Sequence, residues 1–372
     1  ALHCTFLLLF SLTLSGQASL MKNINLGNFS SRPSNKIKYN NELYFSTDDG
    51  VHGKELWKTD GTPEGTSLVK DIVPGIGNGI SSEFKGHVFN GELFFFQQTT
   101  FNEHELWKTN GTETGTVLVK QLPLGNTLMH TDLNGKLLFS IGSALWETDG
   151  TSLGTVQMAN VAIFGNRYVK NGNQIYFSGY GGTSIGNELY KTDGTSSGTV
   201  LVKNIYAQNG KNSYPTNFGV ANGEVFFTAS NGTNGSELWK TDGTNLGTMM
   251  IKDISPGTTN TFTYKNPHAS LNNEYYIVSG SSMYKSDGTE IGTVEVENNL
   301  GYVKDIFDVN NEIWIFSAEF VTFQQGIWVS DGTVSGASKF DVDLVEFWHN
   351  GEFGFVGQEL YFQGNGECGY EI

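Results

Sequence analysis

The sequence predicts an all-β fold, a β-propeller of four-stranded antiparallel blades. Three observations predict it: a phrase repeated about every 45 residues, turn residues between short alternating runs, and abundant aromatics and glycine. The phrase reads Glu55-Leu56-Trp57-Lys58-Thr59-Asp60-Gly61-Thr62 and returns at residues 105–112, 144–151, 188–195, 237–244, 282–289 and 326–333. Its Asp falls at 60, 149, 193, 242, 287 and 331, with Asn110 standing in once. The 26 Phe, 15 Tyr and 7 Trp suit pleated faces, and the 47 glycines suit turns that need positive φ.

Each unit divides into four runs with strand character, here called a to d. In one unit these are residues 83–90, 92–98, 105–109 and 116–122. The a–b junctions are Asn40-Asn41, Asn90-Gly91, Asn134-Gly135, Gly172-Asn173, Asn222-Gly223, Asn272-Asn273 and Asn310-Asn311. Such pairs specify two-residue hairpin turns. The Asp-Gly-Thr phrase is a c–d turn: Asp accepts N–H bonds from its own turn, Gly takes the left-handed conformation, and Thr opens the next strand. Single acidic residues this far apart lack the dense ligand spacing of a calcium loop, so no metal ligand is assigned. The aromatics Trp57, Trp107, Trp146, Tyr190, Trp239, Tyr284 and Trp328 share one position on the c runs, where packing between neighbouring blades accounts for them.

These units resemble the ELWxxDGT repeats of bacterial secreted and surface proteins over roughly residues 20–372. Residues 55–62 and 237–244 fit in full, whereas 144–151 and 326–333 have drifted in their first positions. The resemblance implies a propeller and an extracellular setting. It brings no catalytic residue that transfers to this chain.

The ends of the chain carry their own signals. Residues 5–14 form an apolar run followed by Ser15-Gly16-Gln17-Ala18, which reads as a signal peptide over residues 1–18, shortened at its start. Residues 19–372 read as a single propeller domain, incomplete at its C-terminus. Leu20-Met21-Lys22-Asn23-Ile24 echoes the d run Leu68-Val69-Lys70-Asp71-Ile72, while Glu359-Leu360-Tyr361-Phe362 and Gly369-Tyr370-Glu371-Ile372 echo b and c runs. Joining the two ends into one composite blade gives eight blades; seven is the alternative.

A formal net charge of −16 argues against nucleic acid or an anionic membrane as partner, and with Arg32 and Arg167 the only arginines, bidentate recognition of phosphate or carboxylate is not an expected theme. The apolar run at 5–14 is too short to span a bilayer, so no membrane span is expected. There is no Gly-x-Ser-x-Gly elbow, P-loop, dinucleotide fingerprint or His-Glu-x-x-His, and no catalytic residue, cofactor or metal ligand is named. His52, His104 and His268 read as solvated or hydrogen-bonded.

An antiparallel meander puts the a–b and c–d turns at one end and the b–c and d–a loops at the other. The turn end repeats one phrase, but the loop end differs in every unit, and binding sites favour variable loops on a rigid scaffold. The ligand-binding candidates there are Tyr206, Tyr214, Phe262 and Tyr264. The expected function is extracellular binding or adhesion, with a protein or glycan as partner. The alternatives are a secreted carbohydrate-active hydrolase or lyase and a structural surface-layer component.

Overall fold

Among the described residues, seven four-stranded antiparallel sheets follow one another along the chain in the computed structural model. It describes residues 22–27, 30–80, 86–98, 104–309, 311–318, 325–340, 353–356, 359–362, 364–366 and 369–371. The first blade holds β1 (Ser34–Tyr39), β2 (Glu42–Asp48), β3 (Lys54–Thr59) and β4 (Ser67–Lys70). The second holds β5 (Gly86–Phe89), β6 (Glu92–Gln98), β7 (His104–Thr109) and β8 (Val117–Leu122). The third is β9 (Thr127–Leu133), β10 (Lys136–Ile141), β11 (Ala144–Thr148) and β12 (Val156–Ala159). The fourth is β13 (Ile163–Asn171), β14 (Gln174–Tyr180), β15 (Asn187–Thr192) and β16 (Val200–Lys203). In the fifth come β17 (Thr216–Ala221), β18 (Glu224–Ser230), β19 (Ser236–Thr241) and β20 (Met249–Lys252). The sixth comprises β21 (His268–Leu271), β22 (Glu274–Ser279), β23 (Ser282–Ser286) and β24 (Val294–Glu297). The seventh comprises β25 (Tyr302–Val309), β26 (Glu312–Ala318), β27 (Gln325–Ser330) and β28 (Ala337–Phe340).

Every blade is a simple meander, the repeating unit of a β-propeller, with strands in the order a-b-c-d. The chain forms two units, residues 1–124 with the first two blades and residues 125–372 with the other five. In the second unit β13 lies beside β17, β17 beside β21 and β21 beside β25, so the a strands gather along one edge of the stack.

The ends differ from the composite sheet expected of them. Residues 22–24 are not in a strand, and Leu20 and Met21 lie outside the described residues, as does the expected signal peptide at 1–18. Near the C-terminus β29 (Phe353–Val356) and β30 (Glu359–Phe362) form the expected a–b hairpin. The echo of a c strand, β32 (Gly369–Glu371), pairs instead with β31 (Gly364–Gly366). Its nearest partner is the short glycine-rich run just before it, and a local hairpin forms there at little loop-closure cost. Lys22 nevertheless acts as a d-strand lysine. Its Nζ donates to the carbonyls of Pro63 (2.9 Å) and Thr66 (2.5 Å). Lys70 does the same to Glu113 (3.3 Å) and Thr116 (3.0 Å), and Lys203 to Asn245 (3.0 Å) and Thr248 (2.8 Å). Lys70 and Lys203 each tie a d strand to the c–d turn of the following blade, and Lys22 ties the segment before β1 to the c–d turn of the first blade.

The turn chemistry explains the repeated residues. Asn40 and Asn41 sit at φ 49° and 61°, and Asn222 and Gly223 at 49° and 75°, the paired positive φ of type I′ hairpins. In the c–d turn Asp60 Oδ1 accepts from the Thr62 N–H (2.9 Å) and from Thr62 Oγ1 (2.7 Å). Thr62 Oγ1 also accepts from the Gly65 N–H (2.9 Å), and Thr66 Oγ1 donates to the Thr62 carbonyl (2.7 Å) and meets Thr59 Oγ1 (2.8 Å). Thr62 therefore belongs to the turn interior, not to the start of the d strand, which begins at Ser67. The working motif is longer than Asp-Gly-Thr: Thr59-Asp60-Gly61-Thr62, two residues, then Gly65-Thr66.

Between blades the core alternates by register. One face of a blade presents the b-strand residue and the c-strand aromatic to the preceding blade. Phe227 and Trp239 pack this way on Tyr176, Leu189 and Val202, while Phe177 and Tyr190 pack on Leu138, Leu145 and Met158. The aromatics also stack within the blade, Phe227 on Trp239 at 6.5 Å and Phe139 on Trp146 at 6.2 Å between centroids. Burying a ring of this size contributes at most about 4–6 kcal/mol.

Candidate functional site

At the loop end, the d–a connections fall into two classes. Long ones follow β4 (residues 71–85), β16 (204–215) and β20 (253–267), and short ones follow β8 (123–126), β12 (160–162) and β24 (298–301). The first residue of the repeated phrase distinguishes them. Before each long loop stands a Glu that is fully buried: Glu55, Glu188 and Glu237. Two of the blades with short loops carry Ala144 and Ser282 there, and in the third Glu105 accepts instead from Trp107 Nε1 at 2.9 Å.

The buried carboxylates hold the long loops by their backbones. Glu55 accepts from the N–H groups of Ile72 and Val73, both at 3.2 Å. Glu188 accepts from Ile205 N (2.7 Å), Ser213 N (3.1 Å) and Ser213 Oγ (2.6 Å). Glu237 accepts from Ile254 N (3.0 Å), Thr261 N (3.3 Å) and Thr261 Oγ1 (2.6 Å). An asparagine in each loop completes the clasp: Asn78, Asn212 and Asn260 accept the N–H of Lys54, Asn187 and Ser236 at 2.7–2.8 Å. Burial raises the Glu55 carboxyl to about 7, against the N–H donors of Ile72, Val73 and Gly79 that favour its charged form. Burial raises Glu188 and Glu237 as well, opposed by the hydroxyls of Ser213 and Thr261.

The four candidate residues divide two and two. Tyr214 and Tyr264 are exposed, at 49% and 69%, on the loops held by Glu188 and Glu237. Tyr214 holds φ 48° just before Pro215, a conformation costly for a residue with a Cβ, and its N–H reaches the Asn187 carbonyl at 3.3 Å. The Tyr264 carbonyl accepts from Thr216 Oγ1 (2.8 Å), and Asn217 Nδ2 donates to the Thr263 carbonyl (2.8 Å), so the backbone under the exposed ring is fixed. Phe262, by contrast, is fully buried and meets Tyr284 edge-on at 6.1 Å. Because Glu237 draws Thr261 inward, the next side chain points into the core between β19 and β23 and offers no face to a ligand. Tyr206 is half-buried, its ring against Gly232 of the β18–β19 loop so closely that a Cβ there would collide with it.

Two residues not foreseen complete the cluster. The pairing of β13 with β14 is irregular between Ile163 and Tyr168, and the bulge contains Phe164, Gly165 at φ 61°, and Arg167. The Arg167 guanidinium carbon lies 4.9 Å from the Phe164 ring centroid and 5.6 Å from that of Tyr264. Tyr214 lies within its electrostatic reach. Phe164 is 47% exposed. The cluster is thus one guanidinium against two exposed rings, Phe164 and Tyr264, with the exposed Tyr214 nearby. The legible signal was the Phe-Gly-Asn-Arg interruption of β13, holding one of only two arginines in the chain.

The histidines are engaged locally. His52 Nδ1 pairs with Asp49 at 2.7 Å, and His268 faces the carbonyls of Asn266 (2.9 Å) and Phe218 (3.1 Å). Among the described residues no group of three or more His, Cys, Asp or Glu is placed to hold a metal ion. No helix of the described residues is long and apolar enough to cross a membrane. Of the loop-end segments that differ from unit to unit, residues 99–103 and all of 319–325 except Gln325 lie outside the described residues.

No family model and no curated protein matches the chain. Solved structures that it is similar to include Sqt1 of Saccharomyces cerevisiae, with 10% identity, 87% of this chain and 89% of that one covered, and a TM-score of 0.42. BamB from Moraxella catarrhalis is similar at 10% identity over 80% of this chain and 82% of that one, with a TM-score of 0.39. The β-propeller domain of the Trilobed protease from Pyrococcus furiosus is similar at 10% identity, 84% and 98% coverage, and a TM-score of 0.34.

Proposed function

We propose that this chain is a binding protein that works outside the cell, recognising its ligand through the loop end of the second unit. The observation that carries this reading is the pair of exposed rings, Tyr214 and Tyr264, on long loops whose backbones are clasped by buried Glu188 and Glu237. Fixing exposed aromatics before the ligand arrives lowers the ordering cost of binding. Strain at Tyr214 is the kind of backbone cost found at binding sites. The apolar run at 5–14 and the resemblance to ELWxxDGT repeats support an extracellular location.

Rings beside hydroxyl and amide groups suit sugar faces, so the ligand class is a glycan, free or carried on a protein. A single cluster of this size binds weakly, and useful affinity comes from several copies acting together. The test is an array of glycans and proteins probed with wild type, Tyr214→Ala and Tyr264→Ala. Either substitution is expected to lower binding at least tenfold while the melting temperature holds. Binding that survives both, or turnover of an arrayed polysaccharide, refutes the reading.

A further inference from the structure

We infer that Arg167 is an acid-recognising fork, and that the glycan bound at this cluster carries a carboxylate on one of its sugars. This rests on the proposed binding role of the loop end. The guanidinium carbon lies 4.9 Å from the Phe164 ring centroid and 5.6 Å from that of Tyr264. These cation–π contacts use none of its N–H donors, which remain as the recognising element. Among the described residues no carboxylate pairs with it, although the chain carries 38 acidic residues against 22 basic ones. Lys58, Lys108, Lys136, Lys240 and Lys285, in contrast, each pair with a glutamate of a neighbouring strand.

An arginine stays protonated at neutral pH, so this is a partly desolvated cation without a counter-charge. Its planar fork matches a carboxylate through two parallel N–H···O bonds, a geometry that lysine does not reproduce. The ligand's charge is limited by the protein's own. A net charge of −16 repels a dense polyanion, which leaves sparse acid groups on an otherwise neutral chain as the fitting ligand. A uronate meets both requirements, since the apolar face of its ring can lie on Tyr214 or Tyr264 while its carboxylate meets the fork.

The experiment compares a galactose tetrasaccharide that carries one galacturonic acid with its methyl ester and with the neutral tetragalactoside, by calorimetry on the full chain. The expected result is binding of the acid at least tenfold tighter than of the ester or neutral sugar. Arg167→Gln should bind all three alike, and Arg167→Lys should lose most of the preference. Tyr264→Ala should weaken all three together. Equal affinity of wild type for acid and ester overturns the inference while leaving the binding face intact. A preference that persists in Arg167→Gln also overturns it. If wild type binds none of the three sugars, or binds acidic peptides in their place, the inference falls, and the glycan reading falls with it. Masking the acid on the ligand needs no variant, so a folding defect at Arg167 does not blur the outcome.

Discussion

Glu188 and Ser213 are 25 residues apart, yet the Ser213 hydroxyl donates to the Glu188 carboxylate at 2.6 Å, deep beneath the loop that carries Tyr214. The carboxylate is shared with the N–H groups of Ile205 and Ser213. Replacing Glu188 with Ala leaves those donors buried and unpaired, a loss of about 2–4 kcal/mol. Denaturant unfolding should show that loss, and amide exchange should rise across 204–215 while the short connection at 160–162 stays as protected as before. Unchanged exchange in 204–215 would mean that the loop holds itself.

The buried titratable groups set opposite pH dependences. Glu55 rises to about 7, so the folded state binds its proton more tightly than the unfolded state does. Its stabilisation is complete below the ordinary carboxyl range and is lost as pH rises toward 7. His130 is lowered to about 4 by burial, with Nε2 against Ser140 Oγ at 2.7 Å. Its stabilisation is complete above the ordinary imidazole range and is lost as pH falls toward 4. Each is worth at most about 3 kcal/mol by linkage. Stability measured from pH 4 to 8 should therefore fall less steeply with rising pH in Glu55→Gln than in wild type. In His130→Phe the loss on acidification should shrink. Parallel curves for wild type and both variants would contradict the assignment.

The c–d turn predicts which substitutions are silent. Asp193 Oδ1 accepts from Thr195 N (2.9 Å) and Oγ1 (2.7 Å), and Asn110 does the same for Thr112 at 3.0 and 2.7 Å. Asp193→Asn should thus stay within about 0.5 kcal/mol of wild type, whereas Asp193→Ala should lose about 1–2 kcal/mol. A chelator should leave the melting of all three unchanged. A melting shift on chelation would assign these turns to a metal.

Glycines of the c–d and a–b turns answer to different constraints. Gly243 holds φ 90°, and a Cβ there would strike the Tyr176 hydroxyl of the preceding blade. Gly135 holds φ 75° with open space beside it. Gly135→Ala should cost about 1–2 kcal/mol for the left-handed backbone alone. Gly243→Ala should cost at least about 1 kcal/mol more by denaturant unfolding. Tyr176→Phe in the Gly243→Ala background should recover part of that excess, which a double-mutant cycle measures directly.

Local rules carried the sequence reading a long way. Asn-Asn and Asn-Gly pairs encode their own hairpins because positive φ is a property of two residues, and Asp60 takes its turn hydrogen bonds from Thr62, two positions on. The limit came where partners are distant in sequence. Glu188 looks like any exposed strand residue until the loop 25 positions later folds over it. Phe262 and Tyr264 alternate within one loop, and only the pull of Glu237 on Thr261 decides that the first is buried and the second exposed. Arg167 stands in the sequence as one of two scarce arginines, and only the bulge in β13 brings it against a tyrosine almost a hundred residues away.

Latch and long loop occur together, and this makes scaffold and function separable by design. Blade three joins β12 to β13 through residues 160–162 and has Ala144 where blade four has Glu188. A chain in which residues 204–215 are replaced by a connection like 160–162, with Glu188→Ala, swaps one natural solution for the other. The deletion removes Tyr214 and its strained backbone, and with them the buried donors that required the carboxylate. It should fold with a melting temperature modestly below that of wild type, since the Asn187 N–H loses its Asn212 acceptor while short loops cost little entropy to close. Shortening the loop while keeping Glu188 should be worse, because a buried carboxylate then has no donors. Ligand binding should be lost in both variants. A shortened chain with the alanine that still binds as wild type would show that the loop bearing Tyr214 takes no part in recognition. If it fails to fold while Glu188→Ala alone folds well, the loop is part of the scaffold itself.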